Sequence, residues 1–360
     1  MGTISTVQTA VIETPIVTDI KTTYGSWTRQ PHVIVKLTTD EGLEGLGESS
    51  PLGFFTGETA EIVQTAIDRT LAQTLVGRDP FDLESILDSM DNTLPHNSSA
   101  KAALDMALHD LLGKTLGAPL YKILGGTFRR PILSATAVGI NDLEEMKREA
   151  LEWVGRGFRT LKLKIGVEPG KDEQRVRAIR EAVGPEIRLR VDANQGYTPT
   201  EAIEVGRRIA AHNIEYMEQP VAAWDVDGLA EVRRATGLRI AADESLYTAQ
   251  DALRLIKARA VDVFVIKMIK VGGLRKATKI AHLGEAAGLQ CVTVSPLETV
   301  LGTAAGAHWA TALANGAPDH ELVGPLYLQE DPFTGVEIVG NAIEPGENPG
   351  LGVTAQRDLF

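Results

Sequence analysis

The sequence predicts an α/β protein in which an N-terminal region of strands and helices precedes a parallel β/α barrel. Two observations lead to this fold class. Residues 1–60 have the alternation and turns of antiparallel strands, and helical periodicity follows from Thr59 to about Leu116. After the Gly125-Gly126 pair, short apolar runs alternate with helical stretches, which is the rhythm of successive β/α units.

The N-terminal region reads as a three-stranded antiparallel sheet followed by helices. Residues 33–37 alternate and are rich in β-branched side chains, residues 40–42 form a turn, and residues 43–47 resume the strand pattern. Four leucines then recur at helical spacing, which predicts a core-facing helix capped by Ser98 or Ser99. They are Leu104, Leu108, Leu111 and Leu112.

Eight apolar runs predict the barrel strands, and the stretches between them predict helices. The runs are 132–138, 160–165, 187–192, 214–218, 239–243, 261–268, 290–294 and 321–322, and the helices are 143–156, 173–183, 201–212, 227–235, 249–258 and 274–287. A doubly wound open sheet is the alternative. No Gly-x-Gly-x-x-Gly follows the first strand, which removes the main reason to prefer that fold. The helix expected after the last strand is missing or irregular.

Composition and charge exclude several classes of function. The formal net charge of −12 disfavours nucleic acid as a partner, although a locally positive site still suits a small anion. No run of 18 apolar residues and no signal pattern are found, so we expect no membrane partner and a cytoplasmic location. The single cysteine, Cys291, lies in an apolar run and is interpreted as a core residue.

Acidic side chains end three consecutive predicted strands. Asp192, Glu218 and Asp243 are separated by 26 and 25 residues, which is one β/α unit each. Because neighbouring strands lie about 5 Å apart, these carboxylates repel one another unless a cation lies between them. Mg²⁺ prefers oxygen ligands and leaves coordination positions for water and substrate. The spacing therefore predicts a magnesium site, whereas a single acidic residue at a strand end is more often a helix cap.

Lysines flank the three carboxylates along the chain. Lys162 and Lys164 lie on one side of the second strand, and Lys267 ends the sixth strand. A proton on carbon next to a carboxylate is very weakly acidic, and a metal ion stabilises the charge that its removal creates. Lys164 and Lys267 are the predicted acid/base groups. Lys162 is predicted either to donate a hydrogen bond to the substrate carboxylate or to tune Lys164.

At these residues the sequence resembles the enolase superfamily, in its muconate lactonizing enzyme subgroup, over nearly the whole chain. The resemblance implies a modified (β/α)₇β barrel of the TIM type with an N-terminal α+β capping domain. It implies a capping domain at 1–127, a barrel at 128–325 and a segment at 326–360 that returns to the cap. It also implies Mg²⁺, with Mn²⁺ as the alternative ion, a small carboxylate substrate and a homo-oligomer, often an octamer. The seventh strand ends Ser295-Pro296-Leu297-Glu298 without a histidine, which disfavours the mandelate racemase subgroup.

The resemblance leaves two isomerase reactions open. Glu321 and the Gly324-Pro325 pair favour a muconate-type cycloisomerase, since dipeptide epimerases typically carry Asp-x-Asp on the eighth strand. The alternative is a racemase or epimerase of N-acyl amino acids, dipeptides or proline derivatives, or a dehydratase of a hydroxyproline. A non-catalytic barrel lacks support because no ligand or lysine of the series is missing, and a metal hydrolase needs a His-x-His that the first strand lacks.

Substrate contacts are expected from strand ends and from loops of the cap. The predicted substrate-binding residues are Asn194, Glu244, Ser295, Glu298 and Glu321 from the barrel, with Tyr24, Trp27, Phe54 and Phe55 from the cap. An aromatic lid would exclude water from a small anion. The competing interpretation of the four aromatic residues is packing of the cap onto the barrel.

Overall fold

The computed structural model describes residues 2–22 and 25–360, without the side chains of residues 18–27. The N-terminal region begins with an antiparallel sheet of three strands in the order β1-β2-β3. These strands span Ile4–Thr22 (β1), Gly25–Thr39 (β2) and Glu44–Ser49 (β3). Helices α1 to α5 follow at Gly53–Thr56, Ala60–Ala66, Leu83–Thr93, Ser98–Leu116 and Leu120–Ile123.

Glycine allows the long helix α4 to lie directly on the sheet. A Cβ atom added at Gly47 in β3 would stand 2.0 Å from the carbonyl oxygen of Ala103 in α4. The predicted serine cap of α4 is wrong. Asn97 occupies the N-cap position, and the Glu58 carboxylate accepts hydrogen bonds from the backbone N–H groups of Ser99 and Ala100 at 2.9 and 3.2 Å.

The second region alternates strands and helices. Its barrel strands β4 to β12 span Ile132–Ser134, Thr136–Val138, Thr160–Lys164, Arg188–Asp192, Ile214–Glu218, Ile240–Ala242, Val263–Ile266, Gln290–Thr293 and Asp319–His320. Helices α6 to α13 span Leu143–Gly155, Pro169–Val183, Pro199–Ile209, Val226–Thr236, Ala249–Ala258, Met268–Val271, Leu274–Ala286 and Val300–Ala312. Capping boxes begin α8 at Thr198 and α10 at Thr248, so local sequence sets these helix starts.

The parallel strands close into a barrel within residues 132–321. Strands β5 to β11 form one sheet in sequence order, and β12 pairs in parallel with β4. Parallel bridges from Cys291 to Gly316 and from Val294 to Glu321 join β11 to the segment that contains β12. The first barrel strand is divided at Ala135, because β4 pairs with β12 while β5 pairs with β6. Counting β4 and β5 as one strand gives the predicted (β/α)₇β arrangement.

The C-terminal segment contacts both the barrel and the N-terminal region. It contains α14 (Gly324–Tyr327) and the short strands β13 to β16, at Phe333–Thr334, Glu337–Val339, Ala342–Glu344 and Thr354–Ala355. Strand β15 pairs with β4. The backbone N–H of Gln329 donates to the Pro15 carbonyl at 2.9 Å, and that of Leu351 donates to the Asp110 carboxylate at 2.8 Å. The domain boundaries at residues 127 and 325 stay predictions.

Candidate active site

The carboxyl ends of neighbouring barrel strands bring the predicted polar residues into one row. Lys164 at the end of β6 is the register partner of Asp192 in β7, and Asp192 is the partner of Glu218 in β8. Asp243 directly follows β9 and Lys267 directly follows β10. Parallel strands end at the same edge of a sheet, so one β/α unit after another contributes one polar side chain to the barrel mouth.

The three carboxylates are buried, and burial sets their electrostatics. Burial raises the pKa of Glu218 well above its ordinary value, and repulsion from Asp192 raises it further. Burial also raises the pKa of Asp192, but Lys164 and Lys162 outweigh it and the net shift is downward. The pKa of Asp243 is likewise lowered, because Lys267 and Lys270 overcome the effect of burial. A buried anionic cluster of this kind requires positive charge beside it.

Lysine ammonium groups supply that positive charge. Lys162 Nζ lies 3.3 Å from both Glu218 carboxylate oxygens and 3.6 Å from Asp192 Oδ2. Lys164 donates to Asp192 Oδ2 at 2.6 Å and to Asn194 Oδ1 at 2.8 Å. Lys267 donates to Asp243 Oδ2. Burial lowers the pKa of Lys267, but Asp243 and Glu244 outweigh it, so the net pKa is raised.

Lys164 and Lys267 stand on opposite sides of the barrel mouth. Lys164 ends the second barrel strand and Lys267 follows the sixth, so they are four strands apart in a closed ring of eight within residues 132–321. Both side chains line the same cavity, which has a volume of about 140 Å³. A small molecule in this cavity therefore has one ammonium group on each side.

Two aromatic residues of the predicted lid line the cavity. They are Phe54 and Phe55, and both lie in α1. The ring of Phe55 faces Lys267, with Nζ 3.6 Å from the ring centroid, and the Tyr247 hydroxyl donates to the Phe55 carbonyl at 2.6 Å. Tyr24 and the side chain of Trp27 lie outside the described residues and stay predictions.

Three of the remaining predicted residues line the cavity, and two lie behind it. Asn194, Ser295 and Glu321 line the wall. Glu244 accepts a hydrogen bond from Asn194 Nδ2 at 3.1 Å. Glu298 is buried next to Ser295, whose Oγ accepts a hydrogen bond from the Glu298 backbone N–H at 3.3 Å, and the Oε2 atom of Glu298 has no hydrogen-bond partner. Burial raises the pKa of Glu298 to about 8.

Three residues near the site were not predicted from the sequence. Arg190 and Tyr216 are buried inside the barrel and contact Glu321, at 3.5 Å from the guanidinium Nη1 and 3.4 Å from the hydroxyl. Lys270 is buried against Asp243. Period-two alternation could have found the first two, since Arg190 precedes Asp192 and Tyr216 precedes Glu218 by two residues, on the same strand face.

The donor chemistry of the three carboxylates fits a hard divalent cation. All three offer buried oxygens, and Glu218 carries mutual repulsion that a cation would relieve. Among the described residues, no three Asp, Glu, His or Cys side chains already stand in a coordinating arrangement. Ammonium groups lie beside the oxygens instead, so binding a cation there requires the lysines to move off the carboxylates.

Comparison with known proteins identifies the family. The model of the mandelate racemase/muconate lactonizing enzyme N-terminal domain matches residues 4–125, and the enolase C-terminal domain-like model matches residues 145–359. The chain belongs to the mandelate racemase/muconate lactonizing enzyme family. The resemblance to the enolase superfamily and its muconate lactonizing enzyme subgroup is thereby confirmed, as is the barrel with its N-terminal α+β region.

The similar family members include epimerases, racemases and cycloisomerases. The chain is 39% identical to L-Ala-D/L-Glu epimerase of Clostridium acetobutylicum over 95% of this chain and 96% of that protein. It is 35% identical to N-succinyl-L-Arg/Lys racemase of Bacillus cereus and 32% identical to muconate cycloisomerase 1 of Rhodococcus opacus, in each case over 99% of this chain and 96% of the relative. The predicted enzyme class, an enolase-superfamily isomerase, is confirmed.

Solved structures of family members superpose closely on the chain. Dipeptide epimerase from Enterococcus faecalis V583, in complex with Mg and the dipeptide L-Leu-L-Tyr, gives a TM-score of 0.95 at 38% identity, covering 98% of this chain and 100% of that one. Muconate lactonizing enzyme from Pseudomonas fluorescens, in complex with muconolactone, gives 0.95 at 31% identity over 98% and 97%. In the described part of the chain, each helix is too short or too polar to cross a membrane.

Proposed function

We propose that the protein is a Mg²⁺-dependent racemase or epimerase that removes the proton from carbon α to a carboxylate and returns it to the opposite face. The observation that carries this proposal is the placement of Lys164 and Lys267 on opposite sides of one cavity. Inversion at a carbon atom needs one acid/base group on each face. The four-strand separation of the two lysines supplies that arrangement.

Asp192, Glu218 and Asp243 are the proposed Mg²⁺ ligands. Their oxygens match the ligand preference of the ion, and the E. faecalis relative has been solved with Mg. When bound, Mg²⁺ supplies the positive charge that stabilises the enediolate formed when the α proton leaves. Mn²⁺ prefers similar oxygen ligands and is the proposed substitute.

The same carboxylates control the proton affinity of the lysines. Asp192 accepts a direct hydrogen bond from the Lys164 ammonium group, and Asp243 accepts one from that of Lys267. A carboxylate whose charge is engaged by a cation holds a neighbouring ammonium group less tightly, which frees the lysine side chain to exchange a proton with the substrate. Lys164 then accepts the α proton of one enantiomer while Lys267, still protonated, donates to the opposite face. The roles exchange for the other enantiomer.

The acidic side chains at the eighth strand favour a substrate whose α-nitrogen carries no charge. The Glu321 carboxylate lies 2.5 Å from Lys162 Nζ and 3.5 Å from Arg190 Nη1, so two cations already compensate it. Asp319 accepts a hydrogen bond at 3.0 Å from Thr160, at the opposite end of β6 from Lys164. Glu321 lines the cavity but its charge is already compensated, and Asp319 is not among the lining residues. We therefore propose an N-acyl amino acid as substrate.

Much of the remaining lining restricts the size and polarity of that substrate. Apolar side chains of Leu52, Phe54, Phe55, Val294, Pro296, Leu297 and Val323 face the cavity. The B. cereus relative, an N-succinyl-L-Arg/Lys racemase by name, shows that family members of this length act on acylated amino acids. We propose that this chain accepts acylated residues with apolar side chains.

A muconate-type cycloisomerase is the second candidate. One support for it is that Glu321 is already compensated by Lys162, since a muconate has no amino group to bind. The other is the structural similarity of the chain to the muconate lactonizing enzyme solved with muconolactone. In this reaction Lys164 alone would exchange the α proton. The two candidate reactions differ in whether Lys267 transfers a proton to or from the substrate.

A substrate screen with Mg²⁺ tests the proposal. Purified protein is incubated with N-acetyl and N-succinyl amino acids, dipeptides with a free α-amino group, and cis,cis-muconate, and products are followed by chiral chromatography and NMR. The proposal expects inversion of the acylated amino acids, at least about tenfold faster than of the dipeptides, because the dipeptide ammonium group lacks an anionic partner. Lactone formed from muconate without inversion of any amino acid would instead establish the cycloisomerase.

A further inference from the structure

Lys270 holds the Asp243 side chain from the side opposite Lys267. Its ammonium group donates to Asp243 Oδ1 at 2.5 Å, to the Asp243 carbonyl at 2.5 Å and to the Val265 carbonyl at 3.0 Å. An ammonium group has three N–H donors, so this set uses all of them. The side chain is completely buried, and Lys270 is not among the residues that line the active-site cavity.

Lys267 and Lys270 each bind one of the two carboxylate oxygens of Asp243. Lys270 takes Oδ1 and Lys267 takes Oδ2. Lys270 also binds the main-chain carbonyl of the same aspartate, so it fixes the side chain relative to its own backbone. Oδ2 is therefore the oxygen that becomes available when Lys267 moves, whereas Oδ1 keeps its partner.

The N-terminal region fixes the segment that carries Lys270. Lys270 lies in the four-residue helix α11, which ends at the Gly272-Gly273 pair. Asp105 of α4 accepts a hydrogen bond from the Leu274 N–H at 2.5 Å. A Cβ atom at Gly273 would stand 2.4 Å from an Asp105 carboxylate oxygen, so only glycine permits this approach. Helix α4 thereby anchors the junction from which Lys270 reaches Asp243.

We infer that Lys270 is a positioning residue for the metal site, which orients Asp243 so that Oδ2 alone is presented to the cation. The inference rests on the proposed role of Asp243 as a Mg²⁺ ligand. A purely electrostatic role predicts the opposite sign, because a buried positive charge next to a ligand repels Mg²⁺ and its removal would tighten binding. Outer partners of ligating carboxylates typically change metal affinity by about 10- to 100-fold.

Isothermal titration of the metal-free protein with MgCl₂ tests this inference without an activity measurement. Lys270→Met is expected to bind Mg²⁺ at least about tenfold more weakly than the unchanged protein. Lys276→Met is the matched control, since its ammonium group pairs at 2.7 Å with Asp91 rather than with a proposed ligand. Equal or tighter binding by Lys270→Met, with Lys276→Met unchanged, would overturn the inference.

Two further variants keep the test decisive if Lys270→Met does not fold. Lys270→Gln retains two N–H donors and is expected to bind Mg²⁺ more weakly than the unchanged protein but to remain folded. In Asp243→Asn, Lys270 has already lost its carboxylate partner, so the additional Lys270→Met change is expected to alter affinity less than twofold; a further tenfold loss would contradict action through Asp243. If the unchanged protein itself binds no Mg²⁺, the proposed function fails rather than this inference alone.

Discussion

Phe55 of helix α1 lies directly over the ammonium group of Lys267, with 3.6 Å between Nζ and the ring centroid. The N-terminal region thus contributes a side chain that touches a proposed acid/base group of the barrel. The ring lies on one side of the ammonium group, and Asp243 hydrogen-bonds it as well. A change at Phe55 is therefore expected to affect Lys267 more directly than Lys164.

Replacing Phe55 should affect proton exchange at Lys267 more than at Lys164. Phe55→Ala removes a cation–π contact worth about 0.5–2 kcal/mol and admits water to Lys267. We expect the rate of α-hydrogen exchange with D₂O to fall about tenfold for the enantiomer whose proton Lys267 removes, and less for the other. Initial rates of deuterium incorporation with each pure enantiomer, followed by NMR, measure this. Phe54→Ala is the matched control, and equal losses of exchange in both variants and for both enantiomers would contradict the expected asymmetry.

We expect the Glu218 carboxylate to lower the free energy of unfolding of the metal-free protein. Burial and the nearby Asp192 disfavour its charged form, so Glu218→Gln is expected to be at least as stable as the unchanged protein in the presence of EDTA. The unchanged protein should gain about 2.7 kcal/mol at a Mg²⁺ concentration 100 times its Kd, and Glu218→Gln should gain little. Thermal unfolding measures both. The exposed Glu204→Gln serves as control; full Mg²⁺ stabilisation of Glu218→Gln would remove it from the ligand set.

Glu298 should make stability fall as pH rises. Its pKa is raised from 4.5 to about 8 by burial, so between these values the folded protein holds a proton that the unfolded chain has lost. The free energy of unfolding therefore decreases across this window, by up to about 1.4 kcal/mol per pH unit. Urea unfolding from pH 5 to pH 8 should show Glu298→Gln gaining steadily on the unchanged protein. A constant difference between the two would show that Glu298 does not titrate in this range.

The row of polar strand ends is the part of the site that sequence alone could predict. Lys164, Asp192 and Glu218 each end a strand, and regular spacing by β/α units places them side by side. Two-residue alternation likewise put Lys162 on the same side as Lys164. These relations follow from strand geometry and need no knowledge of how loops pack.

Contacts between distant segments could not be predicted in this way. Glu58 serves as the acceptor at the start of α4 although it lies 41 residues before Ser99, and no local signal marks that pairing. Lys270 contacts Asp243 from the short helix α11, which begins at Met268, within the apolar run at 261–268 that was predicted as a strand. The division of the first barrel strand at Ala135 reflects pairing with β12, about 185 residues away in sequence.

Single-lysine variants in D₂O test the central claim most directly. With an N-acyl amino acid and Mg²⁺, the unchanged protein should incorporate deuterium at the α carbon of both enantiomers. Lys164→Ala and Lys267→Ala should each lose racemisation by at least about 100-fold, yet each should still exchange the α hydrogen of one enantiomer, opposite in the two variants. Loss of exchange for the same enantiomer in both variants, or exchange that persists for both enantiomers in either one, would contradict two opposed acid/base lysines.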